Sequence, residues 1–369
     1  MSTVDFSVLD LPRSEVVEDP QAYLRAAVQW HFSSATGSPY WLRRTRRTKS
    51  LGFDPLTDVK SFDDLALFPN VVDELREVPI GGLIPAGYGP RPPTPRVFES
   101  GGTTGAPKRV IIMPDWGRQT VEWEVGELRG DPRVRDGGFL LVSATGPHAV
   151  GHVQERLAEA LNSAFFTVDL DPRWVKKLIA RGAADEAAVY VDHVVEQAGY
   201  ILRSQHITLL MTTPPLLQAI VRHDDLVEAI DEKVVWLKLG GAHLDEDTRQ
   251  ILHEIFPNTR LLNVYGSTMV VGQAHTRVAD SLDDSIVHDG RTPYLTFSVI
   301  DPDTDRAVRC GERGQVVMHH VSKSLFVPNN LERDTAIRVP AADGQIRNAL
   351  TETVPVQTFG GEAVIEGVY

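Results

Sequence analysis

Glu99-Ser100-Gly101-Gly102-Thr103-Thr104-Gly105-Ala106-Pro107-Lys108, running into the apolar stretch Arg109–Met113, is the segment on which the reading of this chain turns. Glycines let backbone approach a ligand closely and adopt positive φ. Two adjacent threonines add hydroxyl donors, and Lys108 adds a point charge. Backbone N–H groups, hydroxyls and one cation together suit a polyphosphate. The same residues also suit a tight hairpin loop with no ligand. Two other glycine signatures do not fit. A P-loop needs Gly-Lys followed by Ser or Thr, whereas Pro107 precedes Lys108 and Arg109 follows it. The dinucleotide fingerprint GxGxxG is absent as well.

Outward from this loop the chain alternates short apolar runs with amphipathic stretches. The runs 109–113, 138–144, 163–170, 207–214, 234–241 and 260–266 read as buried strands. VQERLAEALN, ADEAAVYVDHVVEQAGYILRSQ and DEDTRQILHEIF read as helices between them. Such alternation predicts an α/β fold with a parallel sheet flanked by helices. Ligands of such sheets bind at the carboxyl ends of the strands. Upstream, Tyr23, Ala26, Ala27 and Trp30 recur at helical spacing after Asp19-Pro20, and residues 81–95 form a Gly/Pro-rich connection. Downstream, 281–369 reads as a smaller, β-rich, mostly antiparallel subdomain with turns at Asp301-Pro302-Asp303 and Gly311–Gly314. The expected division is 1–280 for the α/β lobes and 281–369 for this β-barrel-like part.

Composition narrows the function classes. In 369 residues, 37 Lys and Arg face 50 Asp and Glu, a formal charge of −13. That balance argues against a nucleic-acid or acidic-membrane binder, since phosphate backbones reward basic faces. The basic run Arg43, Arg44, Arg46, Arg47 and Lys49 reads as a solvated face. Cys310 is the only cysteine, which excludes a disulfide framework and a multi-cysteine metal site. No leader pattern and no apolar stretch of about 20 residues is visible, so a cytoplasmic protein is expected.

Further motifs come in order along the chain: Ala144–Gly151 with His148 after a strand, Leu239-Gly240-Gly241-Ala242, Val264-Tyr265-Gly266-Ser267-Thr268-Met269, and Leu331-Glu332-Arg333-Asp334-Thr335. With the 99–108 loop, this series resembles the adenylate-forming superfamily of acyl-CoA synthetases, peptide-synthetase adenylation domains and luciferases, and in its last segment the phenylacetate-CoA ligase branch. The resemblance spans roughly residues 96–340. It implies ATP-dependent activation of a carboxylic acid as an acyl-adenylate, with release of pyrophosphate. It further implies that Ser100, Gly101, Gly102, Thr103, Thr104, Gly105 and Lys108 take the phosphates, and that Gly240, Gly241, Ala242, Tyr265 and Gly266 pack on adenine. Asp334 would take the ribose hydroxyls, Thr268 the α-phosphate or carboxylate, and His148 would line the acyl pocket.

Three departures stand out. Gly101 replaces a second Ser or Thr, His243 a proline, and Met269 the glutamate that ligates Mg²⁺ in the family. A thioether does not ligate a hard cation, so the expectation is ATP with a weakened Mg²⁺ site and no metal ligands to name. The family usually continues into a C-terminal domain bearing a catalytic lysine. Here Lys323 is the last lysine. The expectation is a chain without the mobile domain, in which a downstream reductase or transferase supplies the step after adenylation, and whose uncovered surface suits a second copy in a homodimer. Size and the missing domain also resemble short stand-alone enzymes of phenazine-antibiotic assembly, implying an aromatic, phenazine-borne acid. The alternative is a nucleotide-binding pseudoenzyme or partner subunit. Trp116, Trp123, Phe139 and Trp236 are available to stack on a flat ring, although such residues are more often core.

Overall fold

The computed structural model describes residues 4–10, 17–46, 51–100, 106–277, 285–359 and 362–363. Three N-terminal helices come first: α1 (Pro20–Phe32), α2 (Pro39–Arg46) and α3 (Pro55–Asp58). Asp19 caps α1 by accepting from the Ala22 N–H at 2.9 Å, and Pro20 takes the first turn, where no N–H is needed. An antiparallel hairpin is next, β1 (Arg96–Glu99) and β2 (Arg109–Ile112), then α4 (Pro114–Leu128). Residues 101–105, the centre of the glycine-rich loop, lie outside the described residues.

The central sheet has six strands. They are β3 (Gly138–Ser143), β4 (Phe165–Asp169), β5 (Ile207–Thr212), β6 (Trp236–Gly240), β7 (Arg260–Ser267) and β8 (Gly272–His275), in the order β4-β3-β5-β6-β7-β8. Every pairing is parallel except the last, β7 with β8. The connecting helices are α5 (Ala149–Leu161), α6 (Pro172–Ala180), α7 (Ala184–Ser204), α8 (Pro214–Ile220), α9 (Asp224–Lys233) and α10 (Glu246–Ile255). The period-2 alternation of strands splits their side chains between two cores. Leu140, Val142, Leu210, Leu237 and Leu239 pack under α6–α10. Phe139, Leu141, Leu209, Met211 and Trp236 pack under α4 and α5. With both faces covered, the strands read as continuous apolar runs, which is why they are visible in the sequence.

A second, antiparallel sheet is built from β9 (Val287–Asp289), β10 (Leu295–Ile300), β11 (Arg313–Val321), β12 (Phe326–Pro340) and β13 (Asn348–Pro355), in the order β10-β11-β12-β13-β9. The N-terminal helices dock on it. Trp30 Nε1 donates to the Lys323 carbonyl at 2.9 Å, Trp41 Nε1 to the Phe326 carbonyl at 3.2 Å, and Tyr23 Oη to the Val321 carbonyl at 3.1 Å. Buried His31 sits 2.7 Å from the Ser322 carbonyl, and burial holds its imidazole down to about 4, hence neutral. One apolar cluster therefore joins residues near both ends of the chain. Three of the four aromatics named for stacking, Trp116, Phe139 and Trp236, are buried in the interior, and half-buried Trp123 packs on His275 with ring centroids 4.2 Å apart.

Phe326 is the hub of the docking contact, with ring centroids 5.1 Å from Phe32, 5.2 Å from Phe68 and 5.8 Å from Trp41. Phe326→Ala should destabilise the fold by about 3–5 kcal/mol, as for other buried aromatics truncated to alanine. Urea unfolding with a loss below about 1 kcal/mol would show that the helices hold without it.

Candidate active site

The carboxyl ends of the parallel strands open into a cavity of about 1020 Å³, closed on its far side by β12 and β13. Segments far apart in the chain line it: Ser100 and Lys108, His148, Gly240–Asp245, Asn263–Met269, and Asn330–Asp334. The described residues of the five motifs to which the resemblance gives nucleotide or acid thus border one space. Gly101, Gly102, Thr103, Thr104 and Gly105 fall outside the described residues.

The base of the glycine-rich loop is a closed turn. The Ser100 N–H donates to the Lys108 carbonyl at 3.0 Å, and the Lys108 N–H donates to Ser100 Oγ at 3.0 Å. The Lys108 ammonium reaches 3.0 Å from Asp73 Oδ1, and this contact is the main reason the Asp73 carboxyl sits below its usual range. Arg76 donates to the Ala106 carbonyl beside it. Arg173 ties the base of the loop to α6 through Glu99 at 2.9 Å and the Ser100 carbonyl at 3.3 Å. Neither Asp73 nor Arg76 carries a local signal in the sequence, because only the fold brings them to residue 108.

His148 is the N-cap residue of α5, and its imidazole is held below its usual value chiefly by burial, then by Arg173. Gly240 closes β6 with no room for a side chain, since a Cβ there would lie 2.4 Å from Val264 Cγ2. Gly241 comes next at φ +82°, a conformation that suits glycine. The motif therefore has a structural reason beside any ligand. Asp245 caps the next helix, accepting from the Thr248 N–H at 2.8 Å.

Tyr265 on β7 and Asp334 on β12 meet across the cavity: Tyr265 Oη donates to Asp334 Oδ2 at 2.8 Å. Burial raises the Asp334 carboxyl, and it also raises the Tyr265 phenol, with Asp334 adding to the effect. Glu332, one strand period away, accepts from Asn330 Nδ2 and is also bonded to Ser267. His288 stands 5.6 Å from the Tyr265 ring, pushed to about 4 by burial, with no partner for either ring nitrogen among the described residues.

Met269 is buried in the apolar cluster and offers the cavity no oxygen ligand. Among the described residues no group of three His, Cys, Asp or Glu side chains could hold a metal ion.

With this geometry in view, three comparisons bear on the chain. Residues 187–324 match the family described as AMP-binding enzyme. A curated relative, glycine betaine reductase ATRR of Emericella nidulans, is 31% identical over 153 residues, 40% of this chain. The match spans 11% of that protein's length. Among solved structures, 2-hydroxyisobutyryl-CoA ligase with 2-HIB-AMP and CoA in the thioesterification state aligns at TM-score 0.61 and 15% identity, covering 93% of this chain and 68% of that one. The same ligase in the postadenylation state aligns at TM-score 0.61 and 15% identity, over 100% of this chain and 75% of that one. The fold is the one seen in that adenylate-forming ligase, and residues 187–324, in the second half of the chain, carry the sequence pattern of AMP-binding enzymes. Among the described residues no helix is long and apolar enough to cross a membrane.

Burial, with Asp334 close by, pushes the Glu332 carboxyl from 4.5 up to about 7. A raised folded-state value favours the protonated form, so its contribution to stability is complete below about pH 4.5 and is lost as pH rises towards 7. Melting temperature should therefore fall across that window. Glu332→Gln should flatten the fall by about 1–2 kcal/mol, after allowance for partial exposure. Equal slopes in the two proteins would remove Glu332 as the titrating group.

Proposed function

We propose that the chain activates a carboxylic acid with ATP, forming an acyl-adenylate and pyrophosphate. The observation that carries this reading is the convergence of Ser100, Lys108, Gly240–Ala242, Tyr265–Thr268 and Asp334 on one cavity at the carboxyl ends of the parallel strands.

A carboxylate is a poor electrophile, and a mixed anhydride with AMP supplies a good leaving group. In the step, a carboxylate oxygen attacks the α-phosphorus as the bond to the bridging oxygen of pyrophosphate breaks. The nucleophile is already ionised, so no general base is needed. Catalysis then rests on positioning and on donors around the phosphoryl group. In this reading Lys108, Ser100 and the 101–105 loop take the β- and γ-phosphates. Lys108 exchanges its Asp73 partner for phosphate oxygens. Thr268 serves the α-phosphate or the carboxylate, Gly240–Ala242 with Tyr265 and Gly266 border adenine, and His148 borders the acid. Asp334, already accepting from Tyr265, has acceptor positions left for ribose hydroxyls.

The acid is proposed to be aromatic, with a phenazine carboxylate as one candidate suggested by resemblance alone. A reductase or transferase would consume the adenylate, and the matched relative's name, a reductase, is compatible with that sequence of events. A second reading has a specific observation in its favour. Met269 lies in the core and no metal cluster is present among the described residues, as suits a nucleotide-binding partner subunit without turnover.

Carboxylate-dependent ATP–pyrophosphate exchange separates the two readings. Exchange is expected with one class of acid. Lys108→Ala should lower it roughly ten- to a hundredfold, the value of one charge-assisted contact. Nucleotide binding without exchange for any acid would favour the partner reading.

Asp334→Ala should raise the KM for ATP about tenfold with a smaller effect on kcat, because its contact is made in ground and transition states alike. A loss confined to kcat would contradict the ribose assignment.

A further inference from the structure

Beneath the strand ends the cavity continues between the sheet and α4 and α5, past Thr120, Gln154, Met211 and Gln273. A polar network in this wall takes no part in the proposed nucleotide binding. Lys238 lies two residues before Gly240 on β6 and is buried, with its ammonium 2.5 Å from Glu124 Oε2 on α4. Gln273 Nε2 on β8 donates to the other oxygen of that carboxylate at 2.6 Å. Lys238 also donates to Gln154 Oε1 on α5 at 3.5 Å.

An ammonium offers donors only. It therefore holds the Gln154 carboxamide with its oxygen towards Lys238 and its NH₂ turned away. Gln154 is fully buried and borders the cavity, and its Nε2 has no hydrogen-bond partner among the described residues. Buried donors in native proteins are nearly always matched. Beside it in the wall, Val153 and Met211 are apolar, and the NH₂ of Gln273 is given to Glu124.

We infer that Gln154 is a specificity-determining residue: its Nε2 donates to a hydrogen-bond acceptor on the substrate acid, remote from the activated carboxylate. The acid thus carries a carbonyl, ether, hydroxyl or ring-nitrogen lone pair at its inner end rather than bare hydrocarbon. This rests on the adenylation reading for the direction of the acid, with its carboxylate at the strand ends near Lys108 and Thr268. Two residues of strand put Lys238 about 6–7 Å below Gly240, a ring's width into the wall. The Glu124–Lys238 pair is a positioning device, fixing which way the amide faces.

The test uses isosteric pairs that differ in the acceptor alone: 4-acetylbenzoate against 4-isopropylbenzoate, phenazine-1-carboxylate against anthracene-1-carboxylate, and 5-oxohexanoate against 5-methylhexanoate. Each is measured by ATP–pyrophosphate exchange and, separately, by calorimetric binding, with the wild type and Gln154→Met. In at least one pair the wild type should prefer the acceptor-bearing member roughly tenfold, the size of one buried hydrogen bond. Gln154→Met should bring that ratio close to one while keeping the hydrocarbon member as a ligand. Gln154→Leu gives the same reading should the methionine variant not fold. Equal treatment of all pairs by the wild type overturns the inference, as does a preference that survives in the variants. A binding preference with no exchange for any acid overturns the adenylation reading and leaves Gln154 supported. Exchange without preference does the reverse, and no binding of any acid overturns both.

Discussion

Helices cover both faces of the six-stranded sheet, and that coverage decides where a ligand can sit. Side chains on the two faces are committed to packing under α4 and α5 or under α6–α10. Polar groups meant for a ligand are left with the loops at the carboxyl ends of the strands. His148 after β3, Gly241 after β6 and Thr268 after β7 are all placed by this one constraint. On the α4 and α5 side the cavity extends below the strand ends, where Lys238 and Gln154 replace apolar residues.

The second sheet completes the site from the other side. Its β12 delivers Asp334 to Tyr265 and Glu332 to Ser267, so two carboxyl groups face the ends of β7. Burial raises both carboxyl groups above their ordinary values. The position of that sheet depends in turn on the N-terminal helices, docked by Tyr23, Trp30 and Trp41 on the turn between β11 and β12. Residues with no chemistry of their own thus hold Asp334 in place.

Much of this was legible in the sequence. The inner strands β3, β5 and β6 are buried on both faces, so runs such as GFLLVSA and ITLLMTTP stand out without any alternation to decode. The capping residues Asp19 and Asp245 are local signals and lie where their chemistry places them. The short strand β8 and the helix α4 were not legible. β8 has four residues, and α4 has a mixed apolar pattern around two glycines. In the site, the residues inside motifs could be named, whereas Asp73, Arg76 and His288 could not, because only tertiary folding brings them to Lys108 and Tyr265. Lys238 and Gln154 sit within an apparently ordinary strand and helix. Their role is visible only when the buried ammonium is seen to turn the amide.

The claim on which the rest depends is that nucleotide occupies the gap between β6–β7 and β12. A crystal structure of the protein with AMP tests it most directly. The account predicts adenine beside Gly240–Ala242 and Tyr265, with the ribose hydroxyls on the Asp334 carboxylate. AMP bound elsewhere, or ribose turned away from Asp334, would contradict it.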